Sequence, residues 1–455
     1  MSNTIVNRRK EERRVLAGTL VGTTIEWYDF FIFAQLTATL LTPLFLAPVG
    51  ESNPGLAQIL SFAMIGISFF FRPLGAIVAG HLGDRFGRKK ILVATLILMG
   101  IATSLIGLLP TYAQIGIAAP ILLVVLRILQ GFSAGGEWGG AALMSVEHAP
   151  DNRRGYFGSF PQIGVPLGMI LATGLLYVLR VSMTPEQFQE WGWRIPFLLS
   201  VVLILVGHVI RRALEESPVF QELAERKSEE HTPLKDLMRT NAKQVVQAAL
   251  IFVSNNAAGY LVIAFFIAYT TNVLGMELAP VLLATTIGSV GWLTFTLVGG
   301  WLSDKMGRRN TFVLGYGMIF VWMIPMFMLV DTGNIVLYTV AIFVLTMGLG
   351  LSYGPQSAMY AEMFPAHIRY SGISIGYAIG AILGGAFAAT VAQILLETTG
   401  WSGSIAIYIM VLTVISAGAV LWVGETRHRS LGVTGFHADG TAKIPGVHST
   451  DNTKA

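Results

Sequence analysis

Apolar runs of 18 residues or more recur along this chain, each ended by a short polar turn. A run of that length crosses the hydrocarbon core of a bilayer as a helix. Twelve such runs can be counted, at roughly 16–46, 58–82, 91–109, 114–147, 153–179, 192–212, 244–274, 279–302, 311–330, 335–361, 368–396 and 402–424. With 53% hydrophobic and only 12% charged residues, the chain does not divide into the soluble domains that 455 residues would otherwise suggest. Helical periodicity adds little, because a lipid-facing helix is apolar nearly all round.

The basic residues test the count. With the N-terminus in the cytoplasm, alternate loops of a twelve-helix chain lie inside, and those loops hold 26 of the 30 Lys and Arg residues. Of the other four, Arg72 and Arg127 fall within helices, Arg180 is in an outside loop and Arg194 opens the sixth helix. This is the positive-inside pattern, and one missed helix would scramble it. The net charge of +4 is therefore a topology signal, and no nucleic-acid partner is expected. The chain has no cysteine, which excludes disulfides and thiolate metal sites. The first apolar run is too long for a signal-peptide core and is read as an uncleaved helix.

A charged turn appears twice. Gly80-His81-Leu82-Gly83-Asp84-Arg85-Phe86-Gly87-Arg88-Lys89 returns as Gly300-Trp301-Leu302-Ser303-Asp304-Lys305-Met306-Gly307-Arg308-Arg309. A second pair joins Glu147-His148-Ala149-Pro150 and Arg154 to Glu362-Met363-Phe364-Pro365 and Arg369 at nearly the same offset. An offset of six helices is even, so two equivalent halves run parallel about an axis along the membrane normal. The longest internal polar stretch divides them. The expected organisation is a cytoplasmic N-terminus at 1–15, a six-helix bundle at 16–212, a cytoplasmic linker at 213–243, a second bundle at 244–424 and a disordered cytoplasmic tail at 425–455.

These turns resemble the signature loop of the major facilitator superfamily. Glu26-Trp27-Tyr28-Asp29-Phe30, Phe71-Arg72-Pro73-Leu74-Gly75 and the stretch from Arg127-Ile128-Leu129-Gln130-Gly131 to Gly136-Glu137-Trp138 resemble its metabolite:proton symporters. Members of that family carry shikimate, 2-oxoglutarate, citrate, or proline and betaines. Trp191-Gly192-Trp193-Arg194-Ile195-Pro196 and Glu215-Glu216-Ser217-Pro218 resemble the shikimate-type branch. The resemblance implies an all-α membrane protein of twelve helices in two pseudo-symmetric bundles. It also implies a central site lined by helices 1, 4, 7 and 10, a working monomer, and coupling to protons.

Charge inside a bilayer is costly and marks function by default. Glu26 and Asp29 share one helix face. Asp29 lies about 13 residues, or roughly 20 Å, into its helix, at a depth similar to that of Arg127. Asp29, or else Glu26, is expected to carry the coupling proton. Arg127 is expected to bind a substrate carboxylate with its two-pronged guanidinium. The alternative is a permanent Arg127–Asp29 pair that only holds two helices together. Glu137 is read as part of an inner gate, with an inward proton relay as the alternative, and Arg72 as a packing or interdomain contact, with a substrate role as the alternative. Tyr28, Gln130, Gln162, Asn255, Asn256, Tyr260, Tyr353, Gln356 and Tyr377 are candidates for the pocket wall, though such groups also bond helices together. Gly80, Asp84, Arg85, Gly87, Arg88, Glu147, Arg154, Asp304, Arg308, Glu362 and Arg369 are expected to lock the cytoplasmic side. Asp84 and Asp304 could accept backbone N–H groups at a neighbouring helix N-terminus.

No His cluster has metal-ligand spacing, and the Gly131–Gly140 stretch lacks the ending of a nucleotide loop. No cofactor, metal or enzymatic constellation is expected. The expected function is proton-coupled import of a small organic acid. A proline or betaine symporter is the runner-up, although the tail lacks the heptads of osmosensory relatives. A non-transporting sensor would need a soluble signalling domain.

Overall fold

The computed structural model describes residues 2–86, 88–212, 237, 239–366 and 368–431. The chain is almost wholly helical. We label its long helices α1 (Ser2–Leu36), α2 (Pro54–Phe86), α3 (Arg88–Leu108), α4 (Ala118–Glu147), α5 (Arg154–Ser182) and α6 (Arg194–Arg212) in the first half. The second half has α7 (Ala242–Val273), α8 (Leu278–Met306), α9 (Arg308–Val330), α10 (Ile335–Met363), α11 (Arg369–Thr399) and α12 (Gly403–Val423). Nine of these are long and apolar enough by themselves to cross a membrane among the described residues. The other three are α1, whose first turns carry Arg8–Arg14, α3, whose apolar part is only Val93–Leu108, and α6, which follows a 48° bend. Helices are the form this composition must take, since lipid offers no partner for an open backbone group. The polar N-terminus is helical too, continuous with α1 from Ser2. The linker residues 213–236 and 238 lie outside the described residues, as does the tail beyond Leu431.

Each half packs mainly on itself, α2 on α4 and α3 on α6 in the first, and α8 on α10 and α7 on α12 in the second. The halves meet where α5 runs along α8 and where α2 and α4 meet α11. α7 is central: 94% of its apolar window is buried, against 39% for α9 and α12. It holds two π-helical turns, at Leu261–Phe265 and Tyr269–Val273, and α11 holds another at Ile382–Ala386. Such turns interrupt the regular ladder and cluster at functional sites. Gly384 and Gly385 sit in the last of these, where a Cβ would run into the Val253 backbone and the Asn256 amide of α7.

The crossing of α2 and α4 shows why small residues matter in lipid. A Cβ on Gly131 would overlap the Ser68 carbonyl, one on Gly135 the Arg72 carbonyl, and one on Gly75 the Phe132 carbonyl. The obstacles are backbone and cannot swing aside. Gly131→Leu is therefore expected to cost about 3 kcal/mol, the upper end for overpacking. The loss should be read as lower melting temperature and poorer monodispersity in detergent. A wild-type melting curve would mean that the two helices are not held this closely.

Candidate functional site

A small cavity of about 10 Å³, room for about one water, lies between the halves. Its wall comes from Trp27 of α1, Val165 of α5, Trp292 of α8, Tyr353 of α10 and a face of α7 running from Phe252 through Asn255, Asn256, Gly259 and Tyr260 to Ile263. The α7 residues recur at helical spacing, so one face of one helix supplies six of the ten wall residues. Asn255 donates to the Leu349 carbonyl at 2.9 Å and to Ser352 Oγ at 2.7 Å, and Asn256 donates to the Ala381 carbonyl at 3.2 Å. These bonds fix both amides against α10 and α11. The Tyr260 hydroxyl and the indole nitrogens of Trp27 and Trp292 have no hydrogen-bond partner among the described residues.

Asp29 and Arg127 stand differently from the expectation. Neither is in the cavity wall. Asp29 faces α3 and α6, where it accepts from Thr103 Oγ1 at 3.1 Å and Ser200 Oγ at 2.5 Å. Arg127 points at α2. It donates to Ser68 Oγ at 3.0 Å, to the carbonyls of Met64 and Ile65 at 3.5 and 3.4 Å, and to Gln130 Oε1 at 2.7 Å. The rings of Phe30 and Phe33 cover its guanidinium. The direct Arg127–Asp29 pair is absent as well. Gln130 Nε2 donates to Thr103 Oγ1 at 2.7 Å, so the two charges are joined through Gln130 and Thr103. The glycine-tight approach of α2 explains the difference, because it brings α2 carbonyls within reach of the guanidinium.

The remaining candidates divide between cavity and scaffold. Tyr28 donates to the Pro196 carbonyl at 3.0 Å and pins α1 to α6. Gln162 accepts from the Trp138 indole at 2.8 Å and donates to the Tyr353 carbonyl at 3.3 Å, which links α4, α5 and α10. Glu26 is buried on α1, one residue before Trp27. Gln356 is buried on α10. Glu137 accepts from Thr95 Oγ1 at 3.4 Å. Tyr377 stacks on Trp138 and Phe252, with centroids 3.8 and 4.5 Å apart.

At the face that carries the basic turns, buried ion pairs join the halves. Asp304 accepts from the backbone N–H groups of Gly155 and Tyr156, both at 2.8 Å, and so caps the first turn of α5 from the opposite half. Arg308 is fully buried. It donates to Asp304 at 2.7 Å and grips Glu362 with two nitrogens at 3.3 and 3.1 Å. Arg154 lies 3.9 Å from Glu362, and Arg369 pairs with Glu147 at 3.2 Å. Gly307 explains one repeated turn residue: its φ of 96° is left-handed, and a Cβ would strike the Glu425 carboxylate. Gly87 lies outside the described residues, as do the environments of Gly80 and of the Asp84, Arg85 and Arg88 side chains.

The tail is not disordered from Glu425 onward, as its composition suggests. Residues 425–431 form a strap across this face. Glu425 accepts from the N–H groups of Arg308 and Arg309 at 2.9 and 3.2 Å. Thr426 donates to Glu362 at 2.7 Å, and Arg427 donates to the Lys305 carbonyl at 2.7 Å. Arg154 donates to the Arg429 carbonyl at 2.7 Å, and Arg369 to the Leu431 carbonyl at 3.0 Å.

The fold is two six-helix halves enclosing a cavity at their interface, with repeated charged turns at one face. The sequence model described as Major Facilitator Superfamily matches residues 30–382. The chain belongs to this superfamily. Among curated proteins, the inner membrane metabolite transport protein YhjE of Escherichia coli (strain K12) is 38% identical over 92% of this chain and 95% of its own length. The shikimate transporter of the same organism is 35% identical, covering 94% of this chain and all of its own. A putative proline/betaine transporter of Staphylococcus aureus (strain COL) is 36% identical over 90% of this chain and 88% of its own. The proton:xylose symporter XylE bound to 6-bromo-6-deoxy-D-glucose has the same fold, with a TM-score of 0.74 at 20% identity over 92% of this chain and 97% of that one. This major facilitator protein is thus an integral, multi-pass membrane transporter of metabolites, and not an enzyme.

Several residues of the transporter's centre carried no signal in the sequence. Trp292 and Phe252 are aromatic residues inside apolar runs, indistinguishable there from packing residues. Thr103 and Ser200 are single hydroxyls with no local sign that they meet Asp29. Phe252, Asn255, Asn256 and Tyr260 could have been joined by spacing alone, since they share a helix face.

Proposed function

We propose that this chain is a proton-coupled symporter that imports a small organic acid by alternating access. The observation that carries the reading is the cavity held between two halves whose contacts at the basic face are ion pairs and single hydrogen bonds. Such contacts can part without exposing an apolar core, and so suit a surface that opens and recloses. The substrate would sit among Asn256, Tyr260, Tyr353 and the indoles. Asp29 would carry the proton, and Asp304, Arg308, Glu362, Arg154, Glu147 and Arg369 would shut the cytoplasmic side. The concentration of Lys and Arg on that face supports its cytoplasmic orientation, and a monomer contains every residue the reading requires.

Coupling would run through the bonded series Asp29–Thr103–Gln130–Arg127. An ionised Asp29 accepts the Thr103 hydroxyl. A protonated one releases an acceptor site and frees that hydroxyl to reorient, which shifts Gln130 and the seat of Arg127 against α2. Protonation would thereby change how α1, α3 and α4 sit together, without any contact between the proton and the substrate.

A second reading is favoured by the five aromatic side chains in the cavity wall. Rings of this kind bind quaternary ammonium groups, as a betaine symporter requires. Proteoliposomes decide between the two. Uptake of labelled shikimate driven by an alkaline interior and abolished by a protonophore is the expected result. Gradient-driven uptake of glycine betaine or proline without shikimate uptake would establish the second reading. No gradient-driven uptake of any of these would reject both.

A further inference from the structure

We propose that Arg72 is the substrate's carboxylate anchor, and that the cavity selects small monocarboxylates carrying hydroxyl groups. The inference rests on the reading of the central cavity as the substrate site.

Arg72 lies on α2 and is only 3% exposed. Its guanidinium carbon is 4.4 Å from the centroid of Phe69, 5.3 Å from Phe30 and 5.4 Å from Trp27. Trp27 is in the cavity wall. Phe69 and Phe30 both pack edge-on against Tyr260, another wall residue, with centroids 5.1 and 5.7 Å apart. The cation is therefore one ring away from the cavity on two sides.

Its bonding separates it from the other buried arginines. Arg127 is saturated by carbonyls, Ser68 and Gln130. Arg308, Arg369 and Arg154 are held in ion pairs. Arg72 forms no ion pair among the described residues, and its Nε has no hydrogen-bond partner. Three aromatic faces compensate part of the burial of that charge. An unpaired guanidinium at this depth remains costly, and an arriving anion with two oxygens would satisfy it.

The unmet groups of the cavity wall have the same polarity. Trp27 Nε1, Trp292 Nε1 and Tyr260 Oη are buried without partners among the described residues. Indole N–H groups only donate, and phenol hydroxyls donate readily. A ligand that satisfies this set presents several acceptor oxygens around one negative charge. A single carboxylate with ring or chain hydroxyls meets that description. A second or third carboxylate would find no second free guanidinium at the cavity, because Arg127 is already bonded. A quaternary ammonium would lie near a fixed positive charge.

The test is equilibrium binding to the purified full-length transporter, read by intrinsic tryptophan fluorescence. The probes are shikimate, its methyl ester, 2-oxoglutarate and glycine betaine. Wild type is expected to prefer shikimate. Arg72→Gln should weaken shikimate binding about 10–100-fold, the loss expected for a charged hydrogen-bonded contact, and barely change binding of the uncharged ester. Arg72→Lys should recover part of the loss, since it restores charge without the fork. Tyr260→Phe, which removes only a hydroxyl, should weaken shikimate by a smaller factor. It carries the test together with Arg72→Lys if Arg72→Gln does not fold. Undiminished shikimate binding in folded Arg72→Gln, or in both Arg72→Lys and Tyr260→Phe, overturns the proposal. So does a wild type that prefers 2-oxoglutarate or betaine. Asn256→Ala tests the cavity itself. If it weakens binding and the Arg72 variants do not, the anchor is wrong and the cavity stands. If neither it nor the Arg72 and Tyr260 variants have any effect, the site lies elsewhere and both fail.

Discussion

Asp29→Asn is expected to abolish concentrative uptake while leaving exchange across the membrane intact. The asparagine is close to isosteric. Its amide oxygen can accept one of the hydroxyl bonds that Thr103 and Ser200 now donate, and its nitrogen can donate to the other oxygen. The bundle should therefore fold and the cavity should still bind. What disappears is the ability to gain and lose a proton. One pH unit of gradient is worth about 1.4 kcal/mol per coupled proton, or about tenfold accumulation. The wild type should approach that ratio at low internal volume, and the variant should stop near unity. Counterflow of labelled substrate into preloaded vesicles separates uncoupling from loss of binding. An Asp29→Asn protein that still accumulates substrate against its gradient would transfer the role to Glu26. Thr103→Val should give a weaker version of the same phenotype, because it cuts the series between Asp29 and Gln130 and leaves the carboxyl in place.

Arg308→Ala should give the largest loss of stability. The side chain is fully buried and is the shared partner of Asp304 and Glu362. Removing it leaves two acidic groups inside the second half with their main counter-charge gone. Breaking one partner out of a buried ion pair costs about 3–5 kcal/mol. The effect should be visible as a lower melting temperature of the purified protein. Arg308→Lys should recover little of it, since a single ammonium cannot reproduce the fork on Glu362 and reach Asp304 as well. A double variant with Glu362→Gln should lose less than the sum of the two single losses, because the second change removes the charge that the first left stranded. A melting temperature unchanged in Arg308→Ala would mean that water reaches this cluster freely.

How far the sequence speaks depends on what each residue has to do. The helix count and the halves were legible because length and basic-loop asymmetry are properties of whole segments, and lipid enforces both. Asn256, Tyr260 and Tyr353 were legible as polar or amphipathic groups on inward helices. Arg127 and Asp29 were conspicuous as intramembrane charges, but charge alone does not say which way a side chain points. Their partners are α2 carbonyls and two isolated hydroxyls, which sequence cannot pair. Arg72 next to Pro73 reads first as packing, with a substrate role as the alternative, and the three rings around it are invisible in the sequence. The segment after α12 has a composition that favours disorder. It is ordered because Arg154, Arg369 and two backbone N–H groups of α9 await it, and those were fixed some 55 to 280 residues earlier in the chain.

That segment has a further property. Glu425 is tied to α9, Thr426 to Glu362 of α10, Arg427 to the end of α8, and Leu431 to Arg369 of α11. All four moorings belong to the second half. From the first half, Arg154 gives a bond to the Arg429 carbonyl. Under the alternating access proposed above, the strap would travel with the second half as if it were part of that rigid body, held there by its four moorings. The strap would in this sense be a moving edge of one jaw, and its position would report which way the transporter faces.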